Sequence, residues 1–146
     1  MKNILLGITF FAAYISIANA QTEVESIDLM GHTYTVCKNF PGEIIGNYEY
    51  EGDGPPIVSL KGDGRGLFQP HMKNAINIKF WIDCDENGVV RKQEGSEGRY
   101  QYTLLIQYLD EGNGNYPAGS YDLMGVMILK DLGRAVIYGE RYKSLN

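Results

Sequence analysis

From His32 onward the chain alternates apolar and polar residues with a period of two, in short runs broken by glycine-rich turns. A period of two puts successive side chains on opposite faces of a strand. The pattern predicts strands over 32–37, 45–51, 57–61, 66–69, 75–83, 89–92, 99–109, 121–130 and 134–142. The breaks carry turn chemistry: Gly52-Asp53-Gly54-Pro55-Pro56, Gly62-Asp63-Gly64, Asp85-Glu86-Asn87-Gly88 and Asp131-Leu132-Gly133. Helical periodicity is scarce, with Val24 to Met30 and Met72 to Ala75 as the short candidates. Short strands joined by short connections point to an all-β fold. It should be an antiparallel up-and-down meander barrel or sandwich of seven to nine strands.

The same period assigns faces. Ile76, Ile78, Phe80 and Ile82 share the apolar side of their strand and should face inward, with Trp81 on the other side. Over 99–109 the inward set is Tyr100, Tyr102, Leu104, Ile106 and Tyr108. Over 121–130 it is Tyr121, Leu123, Met127 and Leu129, because Asp122 and Lys130 mark the opposite side as wetter. In the last run Val136, Tyr138 and Tyr142 oppose Ala135 and Ile137. These frames place Tyr48, Tyr50, Tyr100, Tyr102, Tyr108, Tyr121, Tyr138 and Tyr142 in the interior. A buried phenol without a partner costs about 1–3 kcal/mol. An interior so lined suits an amphipathic ligand that stacks on rings and exchanges hydrogen bonds. The competing account is that tyrosine favours strands and several of these rings face out at sheet edges.

The first twenty residues break from this rhythm. One cation at Lys2, an apolar run from Ile4 to Ile17 and the ending Ala18-Asn19-Ala20 form the layout of a secretory signal peptide cleaved after Ala20. Removing twenty residues from 146 leaves 126, which form a single all-β domain over 21–146. The expected location is secreted or periplasmic. Losing Lys2 takes the formal charge from -5 to −6. That balance argues against nucleic acid and against stable association with anionic membrane once the leader is gone. Cys37 and Cys84 both lie in the exported part, where two thiols commonly form one bridge. Closing that loop of about 47 residues would stabilise the fold by about 4 kcal/mol.

One chemical motif fits in full. Asp83, Asp85 and Asn87, then Gly88 and finally Glu94, follow the spacing of an EF-hand calcium loop, with Val90 at its hydrophobic position. The flanks are strand-like rather than helical, so Ca2+ would sit in a β-context, and the rival is a plain β-turn at 85–88. His32 and His71 are the two histidines; a metal site would need both to converge with a carboxylate. Arg134, Glu140 and Arg141 either anchor an anionic ligand or form a cross-strand ion pair. No nucleophile elbow, zinc-protease helix or phosphate-cradling loop is present.

Gly46-Asn47-Tyr48 at the first long strand, Asp63-Gly64-Arg65-Gly66 in the next hairpin and the ending Gly139-Glu140-Arg141-Tyr142 resemble the small lipocalin-like proteins exported by bacteria. Tyr48 stands where that family carries a tryptophan, and its Thr-Asp-Tyr motif is missing. The resemblance, over about residues 45–142, implies a meander barrel with an apolar pocket and no enzymatic activity. It also implies that Arg141 packs over the opening aromatic. The residues expected to hold a ligand are Tyr48, Tyr100, Tyr102, Tyr108, Tyr138 and Arg141. The partner is a small molecule or, if the aromatic face bearing Trp81 is exposed, an extracytoplasmic protein. An extracytoplasmic hydrolase using an acidic pair is the third reading.

Overall fold

The computed structural model describes residues 22–111 and 114–145, so the leader expected over 1–20 lies outside the described residues. The strands are β1 (Val24–Leu29), β2 (His32–Cys37), β3 (Gly46–Tyr50), β4 (Ile57–Leu60), β5 (Arg65–Phe68), β6 (Ile76–Asp83), β7 (Gln93–Glu94), β8 (Arg99–Tyr108), β9 (Tyr121–Leu129), β10 (Arg134–Ile137) and β11 (Glu140–Ser144). Single 3-10 turns occupy Gly42–Ile44 and Lys130–Leu132. Among the described residues no helix is long and apolar enough to cross a membrane.

Eight strands, β3 to β6 and β8 to β11, form a closed antiparallel barrel. Each pairs with its neighbour along the chain, as an up-and-down meander requires. The ring closes where β11 meets β3, with Tyr142 opposite Tyr50 and Ser144 opposite Tyr48. β6 joins β8 through five residue pairs from Ile78–Tyr108 to Ile82–Leu104. The β1–β2 hairpin is added outside the ring, held to β6 by Val36 opposite Asp83 and Cys37 opposite Ile82. The short β7 lies along β8.

An eight-stranded barrel is just wide enough for side chains to fill it or for one small ligand. Here the middle is filled. Ile76, Ile78, Phe80 and Ile82 from β6 meet Leu104 and Ile106 from β8, Met124 and Val126 from β9, and Ala135 and Ile137 from β10, all essentially buried. Gly66 permits this packing on β5. A methyl group there would sit 2.2 Å from the Ser59 carbonyl oxygen, so the backbones of β4 and β5 approach through the missing side chain.

Several expectations are overturned. Val24 to Met30 is not a helix but the strand β1, turned back through Met30 and Gly31 at φ 52° and 78°. Two positive angles in a two-residue loop suit the twist of a hairpin. Met72 to Ala75 is turn and irregular chain. The strand expected over 89–92 reduces to one bridge between Val90 and Cys84, followed by β7. The run 134–142 is two strands folded at Tyr138-Gly139.

The frame of β9 is inverted: Met124, Val126 and Ile128 face the core, while Tyr121 and Leu123 lie outside the ring. The frame at β10 inverts likewise, with Ala135 and Ile137 inside. In β9 the reason is a second apolar cluster on the outer face, where Ile27, Leu29, Tyr34 and Val36 of the hairpin cover Trp81, Leu105, Tyr121 and Leu123. Trp81 is therefore not an exposed docking ring. It is 2% exposed, and its indole N–H donates to Glu25 Oε1 at 2.9 Å.

Cys37 and Cys84 are free thiols, not a disulfide. In the β2–β6 register Cys37 faces Ile82, so Cys84 is its diagonal neighbour. Diagonal residues on neighbouring strands do not face each other directly, so the two thiols lie side by side without the geometry of a bond. Both pack as small buried residues, and the Cys37 thiol donates to the Gly88 carbonyl at 3.7 Å. Burial, with the adjoining Cys37 thiol, pushes the Cys84 thiol up to about 12.

Candidate functional site

Four connections meet at one end of the barrel: β3–β4, β5–β6, β8–β9 and β10–β11. They enclose a recess of about 290 Å³. Its walls come from Phe68 at the end of β5, His71 in the next loop, Tyr116 in the β8–β9 loop, Asp122 at the start of β9, and Tyr138 with Glu140 at the last hairpin. Tyr142 forms part of the floor.

The rings converge. Phe68 lies 5.4 Å from Tyr138, 5.8 Å from Tyr116 and 6.4 Å from Tyr108, centroid to centroid. Tyr108 and Tyr116 meet edge to face at 5.1 Å. Beside them, Tyr50 meets His71 at 4.8 Å and Tyr142 at 5.9 Å, again edge-on. Such tilted and edge-to-face pairs are worth about 0.5–1.5 kcal/mol beyond their buried area.

A polar pair of anchors sits among the rings. The Tyr108 and Tyr138 hydroxyls donate to Asp122 Oδ2 at 3.1 and 3.2 Å, and the Leu123 amide donates to Asp122 Oδ1 at 2.8 Å. His71 Nε2 lies 2.7 and 2.9 Å from the two Glu140 oxygens. Burial raises the Tyr108 and Tyr138 phenols above their ordinary value, and the Asp122 carboxylate raises them further. They stay protonated and act as donors.

Tyr138 adopts φ 53°, in the left-handed region a bulky residue rarely enters, and Gly139 follows at 80°. This hairpin geometry favours Asn-Gly. A tyrosine there costs of order 1 kcal/mol in backbone strain. The ring that lines the recess and holds Asp122 is thus kept at the expense of the turn.

The sequence-nominated residues separate. Tyr138 lines the recess, and Tyr108 packs behind it against Phe68, Tyr116 and Asp122. Tyr102 lies at the opposite end, its hydroxyl bonded to a Glu43 carboxylate oxygen. Tyr48 is buried with its hydroxyl on the Ile44 carbonyl at 2.9 Å, and burial pushes its phenol up to about 12. Tyr100 carries the Lys92 ammonium 4.4 Å over its ring. Arg141 is exposed and away from the recess, and Arg134 pairs with Glu51 at 2.8 Å rather than with any ligand site. Asp122, Tyr116, Phe68 and Tyr142 were missed as site residues. The signal that was available was a charged residue opening an otherwise apolar strand.

Asp83, Asp85, Asn87 and Glu94 are not brought around one point. Asp83 pairs with Arg91 at 2.9 Å and Glu94 with Lys92 at 2.8 Å. Asp85 Oδ1 accepts the Asn87 and Val89 amides at 2.8 and 2.9 Å, and Gly88 takes φ 76°. That is an Asx-braced turn. Among the described residues no three His, Cys, Asp or Glu side chains gather as a metal site. A larger groove of about 540 Å³ at the opposite end runs past Glu43, Lys92 and Tyr102, where Lys92 balances the acidic charge.

No protein-family model, no curated protein and no solved structure matches the chain.

Proposed function

We propose that this chain is an exported, non-catalytic β-barrel module that binds a small amphipathic ligand in the recess at the barrel mouth. The observation that carries the reading is the 290 Å³ recess itself, where aromatic rings converge around a few placed polar groups. Ligand sites generally combine a concave apolar wall with a small number of polar anchors, and small ones begin near about 300 Å³. The strained backbone at Tyr138 adds support, because such strain gathers where a side chain must be held for use. The leader pattern over 1–20 supports secretion or a periplasmic location. The lipocalin-like motifs favour binding over chemistry, and the titratable groups of the recess are already engaged with one another.

Native mass spectrometry of the protein recovered from its own cells tests this. A bound species of small-molecule mass, released on mild activation, is expected. A chain that stays bare, with Phe68 and Tyr116 ring resonances unmoved by added amphiphiles, would remove the reading.

A further inference from the structure

We infer that the ligand of the barrel mouth is a cation, an amine or quaternary ammonium joined to an apolar body. The inference rests on the binding reading above and adds the charge of the ligand to it. Two carboxylates, Asp122 and Glu140, line a recess whose walls include no lysine or arginine among the described residues. Asp122 takes its hydrogen bonds from neutral donors only, two phenols and one amide, and no ion pair among the described residues neutralises it. An ionised carboxylate offers about four acceptor positions, so one remains beside an uncompensated charge. Holding such a charge partly out of water is costly, and a bound cation offsets that cost. Glu140 faces His71, a cation only when protonated.

The rings add an independent attraction. Ring faces carry negative potential and draw an ammonium within about 6 Å of the centroid. Phe68, Tyr116 and Tyr138 line the same recess as the two carboxylates, the Phe68 ring 5.8 Å from that of Tyr116 and 5.4 Å from that of Tyr138. An anionic ligand would meet both carboxylates and the ring faces with the wrong sign. The two arginines nominated from sequence as an anion anchor stand elsewhere, Arg134 on Glu51 and Arg141 on the exterior.

Titration of the full chain with phenyltrimethylammonium and with its uncharged isostere tert-butylbenzene, followed by ring-proton NMR, tests the charge. The cation is expected to bind at least about tenfold more tightly. Asp122→Asn keeps an oxygen for both phenols and should abolish most of that preference. Glu140→Gln provides a second reading that leaves the Tyr108–Asp122–Tyr138 bonds untouched. Equal binding of the two probes overturns the cation and leaves the recess as a binding site; binding of neither overturns the recess as well. A preference that survives both substitutions overturns the assignment to these carboxylates.

Discussion

Asp122 is charged, yet it points into the barrel end, where two tyrosine hydroxyls and a backbone amide donate to it. Tyr138 is its structural counterpart, a large ring accepted at φ 53° so that its hydroxyl reaches that carboxylate. Tyr138→Asn exchanges a strained residue for one at home in the turn, recovering about 1 kcal/mol of backbone strain while losing the ring contact with Phe68. Stability should change by less than about 1 kcal/mol in urea melts, whereas affinity for an aromatic cation at the recess should fall about tenfold. A large loss of stability with binding intact would show the ring to be a packing residue only. The cysteines give a second residue-scale expectation. With the Cys84 thiol pushed up to about 12 by burial, little reactive thiolate exists at neutral pH. A thiol reagent should leave the native chain untouched and label both Cys37 and Cys84 once it is denatured without reductant; absence of label after denaturation would contradict free thiols.

At the scale of elements, the β1–β2 hairpin turns one outer face of the barrel into a second interior. Its polar link is the Trp81 indole N–H on Glu25. Glu25→Ala leaves that donor buried without an acceptor, which costs about 1–3 kcal/mol. The Lys38 pairing lost with it, 3.8 Å apart and exposed, contributes little. Trp81 emission should shift to the red if the hairpin loosens, and an unshifted spectrum with unchanged urea midpoint would argue against the link. This hairpin also explains which elements could be read from the chain. Strands β3 to β6 and β8 follow a clean alternation, so their extents and the inward sets of β6 and β8 were legible. In β9 the alternation is masked, because Tyr121 and Leu123 are apolar for the hairpin's sake while Asp122 is polar for the recess. Period-two patterning shows that two faces differ, but not which is covered when both are. β1 itself, Val-Glu-Ser-Ile-Asp-Leu, has apolar spacing that also fits a turn of helix. Only its partner β2 decides it. The recess was half legible: tyrosines were expected inside, but the gathering of Tyr108, Tyr116 and Tyr138 at one end depends on where loops end, which local patterning does not encode.

On the scale of the whole molecule, the barrel buries phenols at both ends and around its wall. Burial raises the Tyr48, Tyr102, Tyr108, Tyr138 and Tyr142 hydroxyls above their ordinary value, Tyr48 to about 12 and the other four in the same direction. In the unfolded chain the same groups ionise near about 10. Below that pH both states keep their phenolic protons, and the contribution of these groups is fully present. As pH climbs past it, the unfolded chain sheds protons that the folded chain retains, so the unfolded state binds fewer and stability declines with rising pH. The decline continues through the folded-state value of Tyr48. Urea midpoints should therefore hold steady across neutral pH and drop steadily above about 10, and the phenolate absorbance of these five tyrosines should rise together with loss of the far-ultraviolet strand signal rather than before it. Phenolate formation by Tyr48, Tyr102, Tyr108, Tyr138 and Tyr142 with the fold intact would mean that these hydroxyls reach water freely, and that the interior is wetter than the filled barrel requires.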